Sequence, residues 1–223
     1  AAGLDFQAYA GEKDGDAAPQ ITAIENCVAA GAKGILITPS NDSVGPALKD
    51  ARAAGILVIA LDTPLADTEA QDITFATDNF EAGLLIGKWA AATMGEGAAT
   101  AKIAMLDINK DNISVDVARD TGFLVGFGIE VPDLTVMGSE TDARVIGHET
   151  SDANPEGGLR AMETLLAKDP DINVIYTINE PAAEGAYQAM KNAGKENQAL
   201  IVSIDGRCPG IASVKSGVIG ATS

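Results

Sequence analysis

Short apolar runs alternate with longer amphipathic stretches along this chain. The runs favour β-branched residues, as in Ile35-Leu36-Ile37-Thr38 and Leu57-Val58-Ile59-Ala60-Leu61. Such alternation predicts βαβ units around a parallel sheet. The predicted strands are Leu4–Ala10, Gly34–Thr38, Leu57–Asp62, Ile73–Ala76, Lys102–Asp107, Arg144–His148, Asn173–Ile178, Ala199–Asp205 and Val218–Thr222. Their near-continuous hydrophobicity predicts cover on both faces of the sheet. Between Val131 and Asn154 the pattern is weaker. There Leu134–Val136 reads as a further strand and Gly138–Ala143 as an exposed insertion.

Helix starts are legible between the strands. Asn154-Pro155-Glu156 supplies an N-cap followed by proline in the first turn, and Glu180-Pro181 repeats the pattern. Asp78-Asn79-Phe80-Glu81 has the form of a capping box. Gly31, Gly55 and Gly194 suit the left-handed residue that ends a helix. The helix after Asp78 carries Leu84, Leu85, Ile86, Trp89 and Ala90, a broad stripe that places Trp89 in the core.

One strand–helix–strand passage occurs twice. Gly34–Thr63 and Asn173–Gly206 align without a gap from Ile35 to Gly55, and four extra residues precede the last strand of the second copy. Each copy ends on an aspartate as an apolar strand runs out, Asp62 in one and Asp205 in the other. The echo predicts two similar lobes joined by short crossings, one near Thr77-Asp78.

Composition narrows the options. A chain of 223 residues with 46% hydrophobic residues can bury a core. A formal net charge of -17 disfavours nucleic acid and anionic membranes as partners. No run of about 20 apolar residues is present, so nothing is expected to insert in a membrane. Two cysteines are too few for a disulfide framework. Cys27 falls on the apolar side of a helix in one lobe and Cys208 in a loop of the other, so a mutual bridge is not expected. No signal peptide is visible, and the chain opens and closes directly on strands, which reads as incomplete at both ends.

Catalytic constellations are thin. His148 is the only histidine, no Gly-x-Ser-x-Gly elbow is present, and no histidines or cysteines cluster for zinc. His148 therefore reads as a structural or surface residue. The glycines near Gly95 and Gly126 lack the spacing of a phosphate loop. Asp107-Ile108-Asn109-Lys110-Asp111 opens like a calcium loop, but Asn112 stands for the glycine and Ala118 for the closing glutamate. No metal, cofactor or catalytic residue is expected.

The strand ends remain. Ligands of open α/β sheets bind beyond the carboxyl ends of the strands. Thr38, Asp62, Asn179 and Asp205 stand there, and the loop after Lys102–Asp107 leads through Asn112 to a helix bearing Arg119. Carboxylates, amides and a guanidinium can converge on sugar hydroxyls, each of which both donates and accepts.

These residues give the chain a resemblance to the periplasmic sugar-binding proteins of bacterial ABC transporters, of the ribose and fructose type. The segments that carry it are Gly34–Ser40, Val58–Pro64, Ala76–Asn79, Arg119–Phe123, Tyr176–Glu180 and Val202–Gly206. The resemblance implies two Rossmann-like α/β/α lobes with parallel sheets, the periplasmic binding protein type I fold. The lobes would be 1–77, without its first strand and helix, and 78–223, closing on a sugar in the cleft between them. It implies ligand contacts at Asp62, Arg119, Asn179 and Asp205, and a further one at Thr38. Thr63 stands where ribose binders commonly have arginine, and the Asp62-Thr63-Pro64-Leu65 form is more like fructose-type relatives. The implied protein is a monomeric, periplasmic, non-enzymatic receptor that hands a monosaccharide to the permease subunits of an importer. A sugar-responsive transcription regulator on the same core is the alternative, and a sugar-modifying enzyme with Asp205 as base is a third.

Overall fold

The computed structural model describes Gly3, residues 5–11 and residues 15–223. The chain divides into two compact units, Ala1–Thr77 and Asp78–Ser223. Among the described residues no helix is long and apolar enough to cross a membrane.

The first unit holds helix α1 (Ala18–Ala29), strand β1 (Gly34–Ile37), helix α2 (Gly45–Ala53), and strands β2 (Leu57–Leu61) and β3 (Ile73–Phe75). The strands pair in parallel in the order β1-β2-β3. Alternate residues of each strand point to opposite faces. Ile35, Ile37 and Val58 turn inward and pack with Ile24 of α1 and Leu48 and Ala51 of α2. Gly31 and Gly55 take positive φ where the two helices stop. The expected cover on both faces does not hold here. Leu36, Leu57, Ile73 and Phe75 lie on the other face and are 47–61% exposed. Both described helices of this unit pack on one face, and no described helix of the unit covers the second.

The run Leu4–Ala10 was expected to be a strand. Leu4 lies outside the described residues, and residues 5–10 form no regular structure and are exposed. An extended run becomes a strand only when a neighbour completes its hydrogen-bond ladder, and no described strand does so.

The second unit contains α3 (Asn79–Met94), β4 (Ile103–Asp107), α4 (Ser114–Phe127), β5 (Val145–Thr150), α5 (Pro155–Lys168), β6 (Val174–Thr177), α6 (Glu180–Asn192), β7 (Leu200–Ser203), α7 (Cys208–Ser216) and β8 (Ala221–Thr222). Five parallel strands run in the order β5-β4-β6-β7-β8. The two faces are covered by different helices. Ile103, Met105, Tyr176 and Val202 pack against Ile86 of α3 and Phe123 and Phe127 of α4. Leu106, Ile175 and Ile201 pack against Met162 and Leu165 of α5 and Ala186 and Met190 of α6. This is a three-layer α/β/α arrangement. Cover on both faces explains why these strands read as unbroken apolar runs.

Three details differ from the sequence expectation. Leu134–Val136 turns instead of extending, because Asp133 Oδ1 caps the backbone N–H of Thr135 at 2.9 Å. Trp89 is 40% exposed, since the α3 stripe is wider than the face that meets the sheet. Cys208 opens α7 instead of lying in a loop; it and Cys27 are free thiols in different units.

Helices α3 and α4 meet almost backbone to backbone. A Cβ on Gly83 or Gly87 would overlap the carbonyl oxygens of Arg119 and Phe123, and one on Gly122 or Gly126 those of Phe80 and Leu84. Each helix thus presents two glycines four residues apart, one above the other on the same face. The contact fixes the height of α4 over the sheet, and with it the place of Arg119.

Candidate functional site

In the first unit, the polar strand ends gather at the carboxyl edge of the sheet. Asp62 follows β2 with φ 66°, a left-handed conformation that turns its exposed side chain off the end of the strand. Its N–H donates to Phe75 O at 2.8 Å. Thr63 is buried and its hydroxyl donates to Asp62 Oδ2 at 3.1 Å, which orients the carboxylate. Thr38 follows the adjacent strand β1 and is exposed, its carbonyl held by Gln20 Nε2 at 2.7 Å.

In the second unit, the strand order reverses between β4 and β6, since the chain goes from β4 outward to β5 and then back to β6. Such a switch point opens a crevice at the carboxyl ends. Arg119 of α4 fills it. Its Nε donates to Asn79 Oδ1 at 2.8 Å, and its Nη1 donates to Ile178 O at 3.0 Å and Asp205 Oδ1 at 3.3 Å. No described acceptor takes the Nη2 hydrogens. Asp205 has φ 124°, and its backbone N–H donates to Ser223 O at 2.9 Å. Burial pushes its carboxyl above the ordinary carboxylate range; Glu180 adds to the rise, while Arg119 and Arg207 pull against it.

Asn179, one residue beyond Ile178, is the N-cap of α6, a role the sequence pattern assigned to Glu180. Its Oδ1 accepts from Ala182 N–H and its Nδ2 donates to Ala153 O, both at 3.1 Å. One lone pair and one hydrogen of that amide remain available. Asn112 lies apart from this group. It sits in the loop between β4 and α4 and accepts from Met137 N–H at 3.1 Å.

The structure therefore joins Arg119 with Asp205 and with the carbonyl of Ile178, the residue before Asn179. It pairs Asp62 with Thr63 in the other unit and sends Asn112 to a different place. Sequence reasoning missed Asn79 as the residue that orients Arg119. Its signal was the Asp78-Asn79 helix start, which read only as a cap.

A second polar cluster lies beneath the loops where Asn112 sits. His148 of β5 is wedged between carboxylates and is not a surface residue. Its Nδ1 lies 3.0 Å and 3.1 Å from the Asp107 carboxylate oxygens at the end of β4, and its Nε2 lies 3.0 Å from Glu140 Oε1. Burial acts against the imidazolium, but these hydrogen bonds and charges outweigh it and push His148 up to about 10. Asp116 and Asp120 of α4 complete the cluster. Burial, with the Asp107 charge, raises Asp116 to about 7 and Asp120 well above its ordinary value. The loop resembling a calcium site does not form a cage: Asp107 turns to His148, and Asn109 Oδ1 accepts from Asp111 N–H at 2.8 Å. A cleft of about 210 Å³ opens on Asp107 and His148 beside Asn109, Asn112, Met137 and Gly138.

Comparison with known proteins agrees with this architecture. The family model described as periplasmic binding protein domain matches residues 1–223. The ribose import binding protein of Haemophilus influenzae is 30% identical over 220 residues, covering 98% of this chain and 69% of that protein. Its Bacillus subtilis namesake is 27% identical, covering 93% and 62%. A solute-binding protein of Agrobacterium vitis with bound D-fucose superposes with a TM-score of 0.78 at 27% identity, covering 95% of this chain and 70% of that one. One from Actinobacillus succinogenes with bound D-allose gives 0.78 at 25%, covering 94% and 70%. The chain thus spans roughly two thirds of the length of these relatives, as little as 62% of the Bacillus subtilis protein. With its parallel sheets, its switch-point arginine and a family match over its whole length, the chain belongs to the periplasmic binding protein domain family.

Proposed function

We propose that this chain is the sugar-binding part of a non-catalytic, periplasmic solute-binding protein that delivers a monosaccharide to the permease of an ABC importer. The observation that carries the reading is the Arg119 bracket. A guanidinium held by Asn79, Ile178 O and Asp205 has Nη2 hydrogens that no described acceptor takes, and Asn179, the residue after Ile178, has spare amide capacity. That set matches a polyol whose hydroxyls donate and accept. Within the first unit, Asp62, its carboxylate held by the Thr63 hydroxyl, offers a further acceptor of the same kind at a strand end, with Thr38 at the end of the neighbouring strand. The relatives named for ribose import, and the structures holding D-fucose and D-allose, support the transport reading and lend none to a transcription regulator. A fructose-like ketose is the first sugar to test, because Thr63 stands in place of a second arginine.

The test is calorimetry of the protein in its full natural length against fructose, ribose, allose and fucose. One sugar should bind at one site and be recovered unchanged after prolonged incubation. Binding of none, or conversion of the sugar, overturns the reading.

The site should also respond to acid. Asp205 accepts hydroxyl hydrogens only as a carboxylate, and burial holds its pKa above the ordinary value. Affinity should therefore fall as the solution is acidified, beginning at a higher pH than an ordinary aspartate would give. Asp205→Asn should bind more weakly at neutral pH and lose most of the slope. An unchanged slope in this variant places the titrating group elsewhere.

A further inference from the structure

The buried cluster of the second unit has no part in the sugar site, and its wiring is unusual. Asp120 is fully buried, and neither of its carboxylate oxygens has a hydrogen-bond partner. Asp116 Oδ1 is buried and unpartnered as well, although Asp116 Oδ2 accepts from Ile108 N–H at 2.8 Å. A carboxyl buried in this way stays neutral by keeping its proton, unless a cation takes that proton's place. Asp120 Oδ2 is directed at His148 Nδ1, 3.8 Å away, and Asp107 Oδ2 lies 3.0 Å from the same nitrogen.

We propose that Asp107, Asp120 and His148 form a binding site for a divalent transition-metal ion of the zinc class. One ligand atom from each lies within 4.8 Å of the others, the spacing of donors around one ion. The far side of the imidazole carries the usual supporting contact. Glu140 Oε1 sits 3.0 Å from His148 Nε2, so the ring keeps its Nε2 proton on Glu140 while the ion displaces the Nδ1 proton, released to solvent, and takes its place facing the two aspartates. The cleft lined by Asp107 and His148, with Lys110 also on its wall, gives an ion access to those two ligands. One imidazole with two carboxylates suits zinc, manganese or cobalt better than calcium, which takes six to eight oxygens. The ion lies at the root of α4, the helix that carries Arg119, and would tie that helix to β4 and β5.

The single histidine makes the test direct. The protein, purified through chelator, is labelled with nitrogen-15 in its histidine and titrated with zinc at mildly alkaline pH. One equivalent should bind, and Nδ1 should move to the shift of a metal-bound nitrogen while Nε2 keeps its proton. Cobalt should give a visible absorption band at the same stoichiometry, and calcium should not compete. His148→Gln and Asp120→Asn should each weaken zinc binding at least tenfold, and Glu140→Gln by a smaller factor. Asp205→Ala, outside the cluster, should leave it unchanged. Absence of zinc binding, or binding that leaves both His148 nitrogens where they were, overturns the proposal and leaves a proton shared between Asp107 and Asp120 as what holds the cluster. The wild-type measurement stands even if a variant fails to fold.

Discussion

Gly83→Ala is expected to lower the stability of the second unit by about 2–3 kcal/mol, and Gly83→Val by more. Two effects oppose each other. Alanine is the better helix former and gains about 1 kcal/mol over glycine in a helix interior. At Gly83, however, the added Cβ would overlap the carbonyl oxygen of Arg119 and crowd the N–H of Phe123, both backbone atoms with no rotamer to relieve the clash. The helices must move apart, and Phe123, fully buried in the core beneath, loses close packing. Gly97→Ala is the control. Its Cβ would meet only the flexible end of Met94, at 3.6 Å, so this change should be neutral or slightly stabilising. Urea unfolding of both variants, at unchanged slope, measures the difference. A Gly83→Ala protein as stable as wild type would mean that the close contact of α3 and α4 does not constrain the unit. Since the clash falls on the residue carrying the guanidinium, the same variant should also bind sugar less tightly.

Arg119→Ala is expected to weaken sugar binding by a hundredfold or more. Each hydrogen bond from a charged donor is worth roughly 1.5–3 kcal/mol, and a factor of 100 corresponds to about 2.7 kcal/mol. The substitution also strands its partners: Asp205 loses its counter-charge and Ile178 O its donor. Arg119→Lys separates the two contributions. Lysine keeps the charge but cannot reach Asn79, Ile178 and Asp205 at once with a planar fork. It should recover part of the stability and little of the affinity. Calorimetry with the sugar chosen by the wild-type panel reads the affinity, and thermal unfolding reads the stability. If Arg119→Ala binds as tightly as wild type, the switch-point crevice is not the sugar site.

How much of this was legible beforehand depended on the kind of interaction. Strands β4, β6 and β7 were readable because parallel strands buried on both faces must be apolar along their length. Glycines 31, 55 and 194 were readable because only a left-handed residue ends those helices without strain. The polar ends Asp62, Asn179 and Asp205 followed from the same pattern, since a polar residue directly after such a strand stands at the edge where ligands bind. The run before Ala10 misled because apolar content alone supplies no partner strand. Trp89 misled because a helix stripe can be wider than the surface it meets.

The sequence by itself determined the alternation of strands and helices, the duplicated passage and the identity of the polar strand ends, because these depend on near neighbours along the chain. Only the tertiary structure decided that Arg119 is braced by Asn79, 40 residues earlier, and by Asp205, 86 residues later. It alone revealed that reciprocal glycines press α3 onto α4, and that His148 meets Asp107 and Asp120 in one buried cluster. The physical reason is that hydrogen bonds and carboxylate–imidazole contacts act over about 3 Å in space and have no fixed spacing in sequence.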